Sequence, residues 1–120
     1  MKYLFTLLAL TILFSMNAQV STNNTTASGN NSTAIGKSTT ASGNNSTAMG
    51  NSTTASGNNS TAMGKNTITS GYFSTAMGNN TTASDFGSLV IGQYNLSGAT
   101  VTNSATQFNT ANTAFVIGNG

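Results

Sequence analysis

The sequence predicts an all-β fold, a parallel β-roll of fourteen-residue coils. Three observations carry this reading. Glycine recurs every seventh residue, at Gly29, Gly36, Gly43, Gly50, Gly57, Gly64, Gly71 and Gly78, with Asp85 in the next slot and Gly92 after it. The heptads alternate between Ser-Thr-Ala-Ile/Met-Gly and Thr-Thr-Ala-Ser-Gly, so the full period is fourteen. Each row ends in Gly followed by pairs such as Asn-Asn, Lys-Ser or Asn-Ser, residue types that tolerate left-handed backbone angles and so predict turns centred on the glycine slots. A helix is excluded, because glycine at this frequency would cost about 1 kcal/mol per position relative to alanine.

The first element is an apolar leader. Met1-Lys2 supplies a short positive start, and the run from position 3 to 16 is mostly Leu, Ile, Phe and Ala. That length suits the core of a secretory signal and is short for a membrane span. Residues 1–18 are therefore read as a signal peptide cleaved after Ala18, with Gln19 the close alternative, leaving an exported mature chain with no membrane span. Residues 19–24 are a polar lead-in and residues 25–92 the repeat. Residues 93–120 are non-repetitive, although Ala114-Phe115-Val116-Ile117-Gly118 echoes Ser88-Leu89-Val90-Ile91-Gly92, so the chain is expected to leave the roll and re-enter it as a strand.

Within the repeat each heptad offers one short strand, rich in Thr and Ile where strand is favoured. Stacked coils pair about 4.8 Å apart, so roughly five of them make a rod about 24 Å long. Alternation along a strand puts Ile35 and Ala34 on opposite faces. The column Ile35, Met49, Met63, Met77 and Ile91 is the most apolar and is expected to fill the roll. The column Ala34, Ala48, Ala62, Ala76 and Val90 then points outward; being small and uncharged, it is expected at an interface between chains. The inward choice between Thr40 and Ala41 in the even rows stays open. So thin a core sets little burial, at about 25 cal/mol per Å², against about 1–2 kcal/mol of backbone entropy per residue, and self-association is the remedy.

Composition excludes several functions. Only 3% of residues are charged: Lys2, Lys37, Lys65 and Asp85, for a net charge of +2. Two lysines in the mature region cannot neutralise a phosphate backbone, so no nucleic acid is expected as partner. There is no His or Glu to activate a serine, and no cysteine. No catalytic residue, metal site or cofactor is expected, and Asp85, Lys37 and Lys65 are read as turn residues. Tyr72 and Phe73 interrupt the Asn-Asn turns and, with Tyr94, Phe108 and Phe115, are expected to cover the open end of the roll. Thr25, Thr39, Thr53, Thr67 and Thr81 form one threonine column and Thr26, Thr40, Thr54 and Thr82, interrupted by Ile68, a second. Regular threonine ladders can order water, which makes an ice-binding solenoid the lesser alternative; adjacent residues face opposite ways, so the two columns do not form one flat array.

The rows Asn31-Ser32-Thr33-Ala34-Ile35-Gly36, Asn45-Ser46-Thr47-Ala48-Met49-Gly50 and Asn59-Ser60-Thr61-Ala62-Met63-Gly64, interleaved with Ala-Ser-Gly rows, resemble the YadA-like head of trimeric autotransporter adhesins, with its haemagglutinin-type repeats. Rows 73–78 and 87–92 depart at their first position. The resemblance implies a left-handed roll, a homotrimer, display at the cell surface, and adhesion to extracellular matrix or a cell-surface ligand. The heptad stalk and anchor strands of that family are not found here, so residues 93–120 are read as a truncated segment. The chain is then either a head-only secreted adhesin module or a structural spacer within a longer fibre.

Overall fold

The computed structural model describes residues 22–95 and 104–119. The leader and its cleavage site lie outside the described residues. The described chain is all strand, in a β-solenoid of about five turns with fourteen-residue coils. The odd rows form five-residue strands: β3 (Thr33–Lys37), β5 (Thr47–Asn51), β7 (Thr61–Lys65), β9 (Thr75–Asn79) and β11 (Leu89–Gln93). The even rows form two-residue strands: β2 (Thr26–Ala27), β4 (Thr40–Ala41), β6 (Thr54–Ala55), β8 (Ile68–Thr69) and β10 (Thr82–Ala83). Two flanking strands, β1 (Thr22–Asn23) and β12 (Phe115–Asn119), extend the long-strand wall. β1 draws part of the polar lead-in into the roll, pairing Thr22 with Gly36.

Two parallel sheets result. One has seven strands in the order β1-β3-β5-β7-β9-β11-β12, the other five in the order β10-β8-β6-β4-β2. Every pairing from β3 to β11 joins residues fourteen apart, Thr33 with Thr47 and Ile35 with Met49, for example. The repeat itself therefore fixes the register. The last pairing is different: Leu89 meets Phe115 and Ile91 meets Ile117, because residues 94–114 replace the even half-coil.

The interior reverses the expected phase. Ala48, Ala62 and Ala76 are 0% exposed and Val90 is 1% exposed, whereas Met63 is 36% and Met77 40% exposed. The Ala34/Ala48/Ala62/Ala76/Val90 column fills the roll, so it is not an interface between chains. The Ile35/Met49/Met63/Met77/Ile91 column lies on the outer face. The cause is width: a coil with a two-residue back wall leaves room only for small side chains, Ala, Ser and Thr with Val90 the largest, between its sheets. In the even rows Ala41, Ala55, Thr69 and Ala83 point inward and Thr40 and Thr54 do not. Apolar character alone is a poor guide to the inside, since folded surfaces stay rich in apolar atoms, and a one-residue change of phase moves every side chain to the other face.

The core is consequently partly polar. Thr39, Thr53, Thr67 and Thr81 and Ser46, Ser60, Ser74 and Ser88 are buried beside the alanines. Some hydroxyls are paired: Ser74 donates to the Gly71 carbonyl at 2.7 Å, and Thr69 donates to the Ser60 hydroxyl at 3.1 Å. The Thr39, Thr53, Thr67 and Thr81 hydroxyls and that of Ser46 have no hydrogen-bond partner. Buried unpaired groups cost stability, so this interior holds the chain together less firmly than an aliphatic one would.

The glycine slots differ from the expectation as well. Gly36, Gly50, Gly64 and Gly78 lie within the long strands. The even-row glycines open the turns, with Ser32 N–H donating to Gly29 at 3.2 Å. Gly36, Gly50, Gly64 and Gly78 have positive φ of 119–124°, and left-handed angles also fall on residues after the slots: Asn31, Asn45 and Asn59 on one edge, and Ser38, Ser52, Asn66 and Asn80 on the other. What demands glycine is close stacking, since a Cβ on Gly57 would sit 2.1 Å from the Gly71 carbonyl oxygen of the next coil.

The end of the five-stranded sheet is closed by one side chain. Asn95 accepts the Thr82 N–H at 2.7 Å and donates to the Thr82 carbonyl at 3.0 Å, as the next strand's backbone would. Asn95→Ala is expected to open this edge, at about 1–3 kcal/mol for the unmet groups. Faster amide exchange at Thr82 and increased light scattering, with lower coils unchanged, are the readouts; unchanged exchange at Thr82 contradicts the capping role.

Candidate binding surface

Outward side chains repeat at the coil spacing on both walls. The seven-stranded sheet presents Thr33, Thr47, Thr61 and Thr75 followed by Leu89 and Phe115, beside Ile35, Met49, Met63, Met77, Ile91 and Ile117. Polar residues thus give way to apolar ones along the rod, and Leu89, Phe115 and Ile117 are all exposed. The five-stranded sheet presents Thr26, Thr40, Thr54, Ile68 and Thr82. Their neighbours Thr39, Thr53, Thr67 and Thr81 are buried. The two threonine columns thus face opposite ways, as alternation requires, and among the described residues they form no double-width threonine array.

The turns carry asparagine ladders. The Asn30 N–H donates to the Asn44 side-chain oxygen at 3.1 Å, and the Asn44 N–H to that of Asn58 at 3.0 Å. Asn66 Nδ2 donates to Asn80 Oδ1 at 3.1 Å on the opposite edge. These bonds tie one coil to the next while leaving amide groups at the surface. Lys37 and Lys65 are exposed, but they end the strands β3 and β7 and do not sit in turns as expected. Among the described residues no cluster of His, Cys, Asp or Glu could hold a metal ion, and no helix is long and apolar enough to cross a membrane.

At the C-terminal coils the ladder changes. Tyr72 and Phe86 occupy the slots of Asn30, Asn44 and Asn58. Their N–H groups donate instead to the carbonyls of Ala105 at 2.7 Å and Ser104 at 2.9 Å. Asp85, 2% exposed, accepts the Thr113 N–H on its carboxylate at 2.7 Å. Asn112 binds across the loop, accepting from the Ser104 N–H at 3.2 Å and donating to the Gln107 carbonyl at 3.1 Å. Asp85 is thus a clip for the segment that follows, a role its place in a turn did not reveal. Its distance from Thr113 in sequence, 28 positions, hid the pairing. The aromatic rings do not cover the end of the roll: Phe73, Tyr94, Phe108 and Phe115 are all exposed. Phe73 and Phe86 meet edge to face at 5.3 Å, beside a cleft of about 330 Å³ lined by Phe86, Gly87, Phe108, Asn109, Thr110, Asn112 and Ala114.

The repeat and its fourteen-residue register decide the family. The model of the YadA head domain repeat matches residues 23–39, 27–53, 41–67 and 70–95, together more than half of the chain. The chain belongs to the YadA head domain repeat family. No curated protein and no solved structure matches it. Membership makes this an adhesin-like head module of a non-enzymatic family type, and heads of this type are trimeric and displayed at the surface.

Proposed function

We propose that this YadA head is exported, assembles as a homotrimer and gives structural display with weak, multivalent adhesion to extracellular matrix or cell-surface ligands. The observation that carries the reading is the family match over a stack of equivalent coils, each offering the same Thr, Asn and Ser groups to solvent. Each contact is individually poor, since a neutral hydrogen bond nets about 0.5–1.5 kcal/mol. Linked sites raise avidity without new contacts. The seam between protomers is the outer face of the long-strand sheet, along Ile35, Met49, Met63, Met77 and Ile91. Its exposed apolar side chains are what a self-associating chain with a thin core would cover.

Binding of the purified protein to immobilised matrix proteins and glycans, titrated at low and high ionic strength, tests the adhesive part. With four charged residues in the whole sequence, binding is expected to change less than about twofold when the Debye length falls from about 10 Å to about 3 Å. Tight binding by an isolated monomer that moderate salt abolishes contradicts the mechanism.

A further inference from the structure

The cleft beside Phe86 and Phe108 belongs to no repeating feature of the roll. Its floor and wall are aromatic, and Phe108 is 76% exposed. Phe108 does not stand alone: with Phe86 it lines one concave cleft, and concave apolar sites are where small ligands bind. The loop is built and held: Asp85, Asn112 and the Tyr72 and Phe86 backbone amides each fix one point of it. The turn below it is costly. Phe73 has φ 58°, in the left-handed region where asparagine stands in earlier coils and where a bulky residue is an outlier. That conformation places the Phe73 ring edge to face against Phe86.

The rim is polar and neutral. Asn109 uses its side-chain oxygen to accept the Ala111 N–H at 2.9 Å, which leaves its NH2 group to donate outward. The Thr110 hydroxyl has no partner within the described residues. The carboxylate nearest in sequence, Asp85, is buried and points to Thr113 rather than lining the cleft. A small open cavity with aromatic walls, the amides of Asn109 and Asn112, one hydroxyl and no lining charge selects a ligand with one apolar face and neutral hydroxyls at its edge.

We propose that this cleft is a binding site for a neutral pyranose of a glycan, one site per chain. The sugar stacks its C–H face on Phe108 and Phe86, and its hydroxyls bond Asn109 and Thr110. The proposal rests on the adhesive reading above and gives it a ligand class. Three such sites on one trimer would bind a repetitive glycan with avidity from individually weak contacts.

Cellohexaose, chitohexaose and laminarihexaose, titrated separately into the isotope-labelled protein while amide shifts are followed, test it. At least one sugar is expected to move Gly87, Asn109 and Thr110 selectively. Phe108→Ala is expected to weaken that binding by about tenfold or more, as loss of a stacked aromatic anchor does. Phe108→Leu keeps apolar bulk without the π face and is expected to lose nearly as much, while Lys37→Gln, outside the cleft, binds sugar as the parent does. Shifts with none of the three sugars, or affinity retained in Phe108→Leu, overturns the proposal. So does a Phe108→Ala protein that sediments as a smaller species with no sugar response, which would make the ring a contact between copies. Surface adhesion by the parent with no shift from any of the sugars sinks this site alone. Sugar shifts without surface adhesion sink the adhesive reading and leave the site standing.

Discussion

Gly57→Ala is expected to destabilise the roll by about 3 kcal/mol or more, whereas Gly87→Ala costs only about 1–2 kcal/mol. At Gly57 the added Cβ would lie 2.1 Å from the Gly71 carbonyl oxygen and 2.6 Å from its carbon. Those are backbone atoms of the next coil, so no side chain can move aside, and separating them means breaking the parallel ladder. At Gly87 nothing lies within 4 Å of the new carbon, and the cost is only its left-handed φ of 68°. For a domain of this size the difference separates the melting temperatures by roughly 10 °C or more. Thermal melts of the two variants side by side make the measurement, and equal melting temperatures contradict the stacking argument.

The same geometry explains the one break in the glycine series. A Cβ on Gly71 would strike the Asp85 carbonyl at 2.1 Å, but the even coil that would stack on Asp85 has been replaced by the excursion to β12. A side chain is tolerated there, and the carboxylate clips Thr113. On the other sheet β12 does stack, 2.1 Å from a Cβ on Gly92, and the residue there is still glycine. In the even rows glycine thus reports where another coil lies on top.

This is how far the sequence was legible. The period specified strand number, parallel pairing and register, because identical rows can only stack in step. It did not specify which face is inside. Period two gives two columns but not their direction, and the apolar weight of Met49 and Met63 pointed the wrong way. The deciding signal was size: a column of Ala34, Ala48, Ala62 and Ala76 opposite Ala41 and Ala55 is what two sheets at close approach require. The C-terminal end was hidden for a different reason. Asp85 with Thr113, Tyr72 with Ala105 and Asn95 with Thr82 are pairs set by the excursion's path. No repeat announces such a path.

Inside and outside can be told apart by one neighbouring pair of residues. Ala62→Leu is expected to cost about 3 kcal/mol or more, because Ala62 is 0% exposed between walls lined by Ala48 and Ala55 and three further heavy atoms have nowhere to go. Met63→Ser, one residue on, is expected to leave the fold of each chain within about 0.5 kcal/mol, since Met63 already meets solvent. Its effect should fall on assembly. If the long-strand face is the seam, each methionine buried there contributes about 1.5–3 kcal/mol. Met63→Ser with Met77→Ser then removes two rungs from every protomer. Sedimentation of the double variant is expected to show a shift from trimer to monomer at concentrations where the parent stays assembled, with its β-sheet circular dichroism retained. The reverse pattern, a tolerated Ala62→Leu and an unfolded Met63→Ser, would mean that the methionines fill the roll. A double variant that sediments as the parent does would move the seam to another face and leave the exposed Ile and Met column without a structural purpose.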